Sequence, residues 1–510
     1  MPAKTRIIPA LLLAAMLLPV SARALIDGDY TYTVADNKAT ITDFNFSYFG
    51  ALSITNQLGG YPVTSIGDWA FYWCDSLTSV TLPDSVTSIS VSAFRDCTSL
   101  TSVTIPDSVT SIGAGAFYSC TSLTSVTIPD SVTSIGSTTF CACISLTSVT
   151  IGNSVTTIGP YAFHDCAVLS SVNIPQGVTA IGAYAFYNCF SLPSVTLPPG
   201  ITSIGDDAFS YCASLSTLNL PNSLTSIGFE AFRDCTSLAS VTIPDSVTSI
   251  GSFAFYRCTG LTSVIIGNSV TSIGKSAFRY CTSLTSVTIP DSVTSISSYA
   301  FSRCTSLTDI NVSDNNLNYA SVNGVLFKKN LPTLIQCPGG YSGPYTIPDS
   351  VTAIGTYAFE GCTSLTSVTI PDNVTSIGDY VFYRCSSLTS VFFTGDAPTI
   401  GPDAFDATPV TIYHLPGATG WDSPVAGLTP VSWNPAFSPD TPPRFAAGRF
   451  AFTLTGSANI PVRIEACDSL TSPSWSTVTD TAIPASGTLD FSDPDSSSRP
   501  SRFYRVTFPQ

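Results

Sequence analysis

From Cys74 onward, apolar residues return at the same offsets every 23 positions. Around residues 97–120 they are Cys97, Leu100, Val103, Ile105, Val109, Ile112, Ala116 and Phe117, and Ser, Thr, Pro, Asp and Gly occupy most positions between them. Cysteines stand at 74, 97, 120, 143, 166, 189, 212, 235, 258, 281 and 304, and the period resumes at Cys362 and Cys385. Phenylalanine stands three residues before each of them, and once more as Phe405 without its cysteine. A fixed period of this size predicts a solenoid in which each repeat forms one layer.

Within a layer the offsets predict the local path. Val103, Thr104 and Ile105 alternate as a half-buried strand does. Pro106-Asp107 stops that strand, because proline has no amide donor and presets a turn. Val109, Ser111 and Ile112 form a second short extended piece, and Gly113 breaks it. Ala116, Phe117 and Cys120 are spaced like one helical or 3₁₀ turn. One such unit exposes too much apolar surface to fold alone, whereas stacked units cover one another.

The order A-F-x-x-C-x-x-L-x-x-V-x-I-P-x-x-V-T-x-I resembles the BspA-type leucine-rich repeat of bacterial and some protist surface proteins, over about residues 26 to 434. The resemblance implies a leucine-rich-repeat solenoid with a parallel β-sheet on the concave face and short turns or 3₁₀/helical pieces on the other side. It also implies a secreted or surface protein, since some members bind host proteins or mediate attachment.

The remaining segments complete a domain plan. Residues 1–24 carry Lys4 and Arg6, an apolar stretch and a small-residue ending at Ala24, and read as a removed export signal. Residues 25–60 form a cap hairpin turning at Asp36-Asn37, and residues 61–394 are the repeats. A longer variant repeat occupies 309–345, with Val325, Leu326, Phe327, Leu334 and Ile335 as strand cores. Residues 395–433 read as a terminal cap carrying Trp421 and Trp433. A Pro-rich linker follows at 434–445. Residues 446–510 hold the alternating segments FAFTL, VRIEA, WSTV, TLDF and FYRVTF, which predict a small antiparallel β domain.

Charge narrows the partners. Nineteen basic residues face 34 acidic ones, a net charge of −15, and no basic run stands anywhere. This argues against nucleic acid, which requires clustered Lys and Arg. After residue 24 no apolar stretch is long enough to span a membrane.

Chemistry-bearing patterns are sparse. The sixteen cysteines read as buried free thiols, because a ladder of equivalent positions cannot pair throughout without disturbing the packing. No CxxC pair, GxSxG elbow or phosphate loop is present. His164 occupies a variable slot and reads as a solvated imidazole. Asp84, Asp107, Asp130, Asp245, Asp291, Asp349 and Asp372 share one turn position with Asn153, Gln176 and Pro199. That mixture fits turn chemistry better than a calcium column. The tyrosines flanking the phenylalanines, such as Tyr118 and Tyr184, read as cover for the core rim. The expectation is therefore no enzyme, no metal and no cofactor.

What remains is surface. The pairs Ser102 and Thr104, Ser125 and Thr127, Ser148 and Thr150, Ser194 and Thr196, Ser240 and Thr242, Ser286 and Thr288 should point outward as hydroxyl columns. They form either a hydrogen-bonding face for a partner or simply the composition that suits an exposed sheet. The reading carried forward is an exported, monomeric interaction or adhesion protein offering these residues to a protein or glycan. An ice- or crystal-surface binder is the alternative, and an exported hydrolase ranks behind both.

Overall fold

The computed structural model describes residues 23–330, 332–499 and 501–508. The expected export signal lies outside them, apart from its last two residues. The chain divides after Val155 into two compact units.

The first unit opens with the hairpin Tyr30–Ala35 and Lys38–Phe44, antiparallel, with Asp36 and Asn37 both at positive φ (50° and 55°) as its two-residue turn requires. Lys38–Phe44 then pairs in parallel with Tyr61–Ile66, so the hairpin covers the first coil. Beyond it the layers repeat in register. Ser79 faces Ser102, Ser125 faces Ser148, and the short second strands align Ser65, Ser88 and Ser111. Phe44 packs tilted against Phe71 at 4.8 Å, and Phe71, Phe94, Phe117 and Phe140 form a stacked column at 4.8–5.4 Å.

The second unit repeats the same layer. Its second strands run in register from Thr157 through Ala180, Ser203, Ser226, Ser249 and Ser272 to Ser295. Phe163 to Phe301 form a fully buried column with centroids 5.2–5.6 Å apart and rings within 13° of parallel. The one-layer offset follows from sequence identity: interchangeable units place every side chain above its own equivalent.

The segment around each Phe is a run of short turns, the first of the forms the resemblance implied, and not a helical piece. Two residues per coil, two before and two after the Phe, hold positive φ, for example Ser92 and Asp96, Tyr184 and Asn188, Glu230 and Asp234. Alternate amides reach the next coil (Phe94 N–H to Ala116 O 2.8 Å, Asp96 N–H to Tyr118 O 2.9 Å). The amides between close local turns (Arg95 N–H to Ser92 O 3.2 Å, Cys97 N–H to Phe94 O 3.4 Å). A helix would send all of them inward and leave the neighbouring coil's carbonyls unpaired, which burial forbids. Gly113 serves the same close stacking, since a Cβ there would lie 2.6 Å from the Ser90 carbonyl carbon. Among the described residues, the one helical segment is the 3₁₀ turn Ser496–Ser498.

The thiols are buried and unbridged. Most donate to the Phe carbonyl of the preceding coil, as Cys97 to Phe71 (3.1 Å), Cys235 to Phe209 (3.3 Å) and Cys385 to Phe359 (3.0 Å). Burial also pushes the Cys212 thiol up to about 12. Native protein should therefore leave all sixteen thiols unlabelled by Ellman's reagent within minutes, and guanidinium should release all of them. Fewer than sixteen after denaturation without reductant would reveal bridges.

The variant repeat stays in the stack but alters one layer. Tyr319–Val322, Val325–Lys328 and Thr333–Gln336 form an antiparallel meander, and its last strand rejoins the parallel column against Ala353 and Ile354. Val325, Leu326, Phe327 and Leu334 are buried, and Ile335 is half-buried. Cys337 takes the backbone place of the missing Phe, donating its N–H to Ala358 O at 2.7 Å. The usual turn is replaced by the tighter Cys337-Pro338-Gly339-Gly340. Gly339 sits so close to the coil below that a Cβ would meet Cys304 O at 2.7 Å.

At the C-terminal end the Pro-rich segment is not a free linker. Ala436–Phe437 and Arg444–Ala446 both pair with Arg449–Thr455. All five alternating segments form strands, Arg449–Thr455 with Thr488–Ser492, and Pro461–Cys467 between Ser476–Ala482 and Phe503–Thr507. Their core includes Phe392 and Tyr413 from the last coils, with Phe392 4.4 Å from Phe508. Trp421 is buried in the solenoid core, whereas Trp433 packs on this second core and donates to Pro461 O at 2.8 Å. The outward position that holds Thr in most coils is aromatic here, as Phe392 and Tyr413, and the β module covers both rings.

Candidate functional site

The outward strand positions form the first candidate face. In the first unit Val103, Val126 and Val149 point into the core and their flanking hydroxyl residues point away. In the second unit Val195, Val241 and Val287 do the same. Of the twelve sequence-predicted residues, Ser102, Thr104, Ser125, Thr127, Thr150, Ser194, Thr196, Ser240, Thr242, Ser286 and Thr288 are exposed and Ser148 is half-buried.

Their hydroxyls differ from the neighbouring ranks. Thr101, Thr124 and Thr147 spend theirs on the carbonyl one coil back, at 2.8, 3.2 and 2.9 Å. Ser108 and Ser246 do likewise, at 2.6 Å each. None of the twelve predicted hydroxyls has an intramolecular hydrogen bond among the described residues. The strand backbone holds them on a regular, rigid lattice while their donors and acceptors stay available. In the second unit Asn173, Asn219 and the 62% exposed Ile265 interrupt the threonine column.

The turn edge is a second face, and there the side chains differ from coil to coil. The two slots after each Phe hold Tyr72 and Trp73, Arg95 and Asp96, His164 and Asp165, Arg233 and Asp234, Arg279 and Tyr280. Guanidinium groups lie between rings of the coils before and after their own. Arg95 lies 5.6 Å from Trp69 and 4.2 Å from Tyr118, and Arg233 lies 5.3 and 5.4 Å from Tyr211 and Tyr256. Carboxylates hold them in plane, as Glu230 and Asp234 hold Arg233 at 2.6 and 3.2 Å. His164 is not freely solvated; it stacks on Tyr187 at 4.7 Å beside Asp165. The flanking tyrosines therefore build a ring-and-cation edge rather than only covering the core. The sequence signal for it was the placement of Arg95, Arg233, Arg257, Arg279, Arg303 and Arg384, all within two residues after the repeat's Phe or its equivalent.

The turn aspartates bind the chain itself. Asp130 and Asp245 accept the amides of Asn153 and Asn268, one coil on, at 2.7 and 2.6 Å. Among the described residues no three His, Cys, Asp or Glu side chains converge as a metal site would require.

Comparison with known proteins fits this geometry. The profile described as BspA type leucine rich repeat region matches residues 39–331 and 344–419 in overlapping segments, more than half of the chain. The chain belongs to the BspA-type leucine-rich-repeat family. A crystal structure of a leucine-rich repeat protein from Bacteroides ovatus is 25% identical, with a TM-score of 0.53, and the match covers 80% of this chain and all of that one. A leucine rich cell surface protein from Faecalibacterium prausnitzii is 28% identical over 81% of this chain and 95% of that one, with a TM-score of 0.38. No curated protein matches. As a BspA-type repeat protein the chain is an interaction scaffold by architecture, and among the described residues no helix is long and apolar enough to cross a membrane.

Proposed function

We propose that this protein is an exported, non-catalytic interaction or adhesion protein, and that its outward Ser and Thr columns meet a protein or glycan partner. The observation that carries the reading is the set of twelve unpartnered hydroxyls beside ranks whose hydroxyls are already spent. Such a face offers many weak, directional bonds in a repeating array, so affinity accumulates along an extended partner. Residues 1–24 support export, and membership of a repeat-scaffold family supports binding over catalysis.

The test immobilises the protein and probes cell-surface extracts, matrix proteins and a glycan array. A variant carrying Ser125→Lys, Thr127→Lys, Ser240→Lys and Thr242→Lys should lose at least about tenfold in affinity for whatever the parent captures, because lysines fill the face without disturbing the inward valines. Unchanged capture by the variant would remove the face from the reading. Capture of nothing would remove the reading itself.

A further inference from the structure

The variant repeat leaves an opening on the turn edge of the second unit. Because Cys337-Pro338-Gly339-Gly340 keeps its layer back from this edge, the coils on either side meet across it. The Tyr299 and Tyr357 rings are 4.2 Å apart, and Arg303 Cγ stands 3.0 Å from where a Gly361 Cβ would be. Beside this junction lies a groove of about 470 Å³, lined by Tyr280, Arg303, Thr305, Gly361, Thr363 and Arg384 among others.

Four features of the groove point to an anionic occupant. Arg303 and Arg384 converge on one ring, their guanidinium carbons 5.5 and 5.1 Å from the centre of Tyr383, and Arg303 also lies 5.1 Å from Tyr280. The carboxylate at hand, Glu360, is fully buried and shared, its Oε1 accepting from Arg303 Nε at 2.7 Å and from Arg279 Nη2 at 2.6 Å, so one negative charge serves two guanidinium groups. Arg384 is exposed and has no ion-pair partner among the described residues. The hydroxyls of Thr305 and Thr363 are exposed and unpartnered among the described residues.

Gly361 keeps the groove open. It is the glycine in a slot that elsewhere holds Trp73, Asp96, Asn188, Tyr211, Arg257 or Tyr280, and its φ of 73° suits glycine. One buried carboxylate shared by Arg303 and Arg279, with the exposed Arg384 beside them, leaves an excess of positive charge that an anion would balance. Guanidinium groups take carboxylates in paired, planar hydrogen bonds. Hydroxyls beside them, and the Tyr280 ring on the groove wall, suit a hydroxylated ring that carries the carboxylate.

We propose that this groove binds the carboxylates of an acidic polysaccharide, a uronic-acid chain lying along the coil edge. Arg384 and Arg303 take its carboxylates, Thr305 and Thr363 its ring hydroxyls, and Glu360 positions Arg303. The site extends the reading of the protein as an interaction scaffold and uses none of the twelve hydroxyl-column residues.

The experiment titrates the full chain with galacturonate oligomers by calorimetry, alongside the fully methyl-esterified oligomers, which keep the sugar and lose the charge. The free acids should bind, the esters should not, and raising salt from 50 to 500 mM should weaken binding. Arg384→Gln should lower affinity at least about tenfold with an unchanged thermal midpoint, because that side chain is exposed. The lysine variant of the hydroxyl columns should bind the free acids like the parent. Equal binding of ester and acid, an Arg384→Gln variant that binds like the parent, or no binding of the acids would each overturn the assignment. So would capture of a phosphoserine peptide in place of galacturonate. If galacturonate fails while capture dependent on the hydroxyl columns persists, this site falls and the earlier reading stands.

Discussion

Phe232→Ala is expected to lower the unfolding free energy by about 3–5 kcal/mol. The Phe232 ring is fully buried and lies between Phe209 at 5.6 Å and Phe255 at 5.3 Å, nearly parallel to both. Removing it strips apolar area from three layers and leaves a cavity that the stack cannot close, because each layer is pinned to its neighbours by backbone hydrogen bonds on either side. Phe232→Leu should cost less, since it refills most of the space. Urea unfolding followed by circular dichroism measures both, with Ser240→Ala as a surface control expected within about 0.5 kcal/mol of the parent. In a stack the damage spreads to the adjoining coils, so a broadened or split transition is also expected. A Phe232→Ala protein within 1 kcal/mol of the parent, on the order of a surface change, would mean that the ring column does not hold the layers together.

Glu360→Gln should cost about 3 kcal/mol or more. The Glu360 carboxylate is fully buried, and the two guanidinium groups bound to it, Arg279 and Arg303, are 22% and 12% exposed. An amide of the same size keeps the packing but removes the charge that compensates two largely desolvated cations, and the penalty of leaving those cations uncompensated exceeds the worth of any hydrogen bond the amide retains. Replacing all three residues by Met should recover much of the loss, because the cost lies in the uncompensated charge and not in the missing contact. Thermal and urea unfolding of the single and triple variants distinguish the cases. A single variant as stable as the parent would show that solvent already screens the cluster.

The layered architecture was legible because it is written many times. Any one coil's Val and Ile alternation is weak, but thirteen Phe and Cys pairs at one spacing leave no other register, and Asp36-Asn37 marks its hairpin by residue type alone. The spacing of Ala116, Phe117 and Cys120 left a short turn and a helical piece both open, and the neighbouring coil's carbonyls decide for turns by taking every second amide. Residues such as Tyr184, Glu230 and Arg257 are thereby held at positive φ, at about 1–2 kcal/mol each by the usual steric penalty. No local propensity announces that, because the partner is the next layer.

The same distinction runs through the candidate sites. That Ser102 and Thr104 face outward follows from alternation. That their hydroxyls stay free while Thr101 and Ser108 are spent depends on where the preceding coil's carbonyls lie. The Pro-rich stretch at 434–445 looked like a linker because proline disrupts pairing, yet Ala436 and Phe437 between its prolines, and Arg444 and Phe445 after them, find the edge of Arg449–Thr455.

By itself the sequence determined the repeat unit, its inward residues and the outward hydroxyl ranks, since these depend on periodicities of two and 23 positions along one chain. The tertiary structure alone decided the left-handed turns, the ring-and-arginine edge and the groove beside Gly361. Those features arise where residues dozens of positions apart are brought within a few ångströms, and there the contact energies of stacked layers override what each residue would do alone.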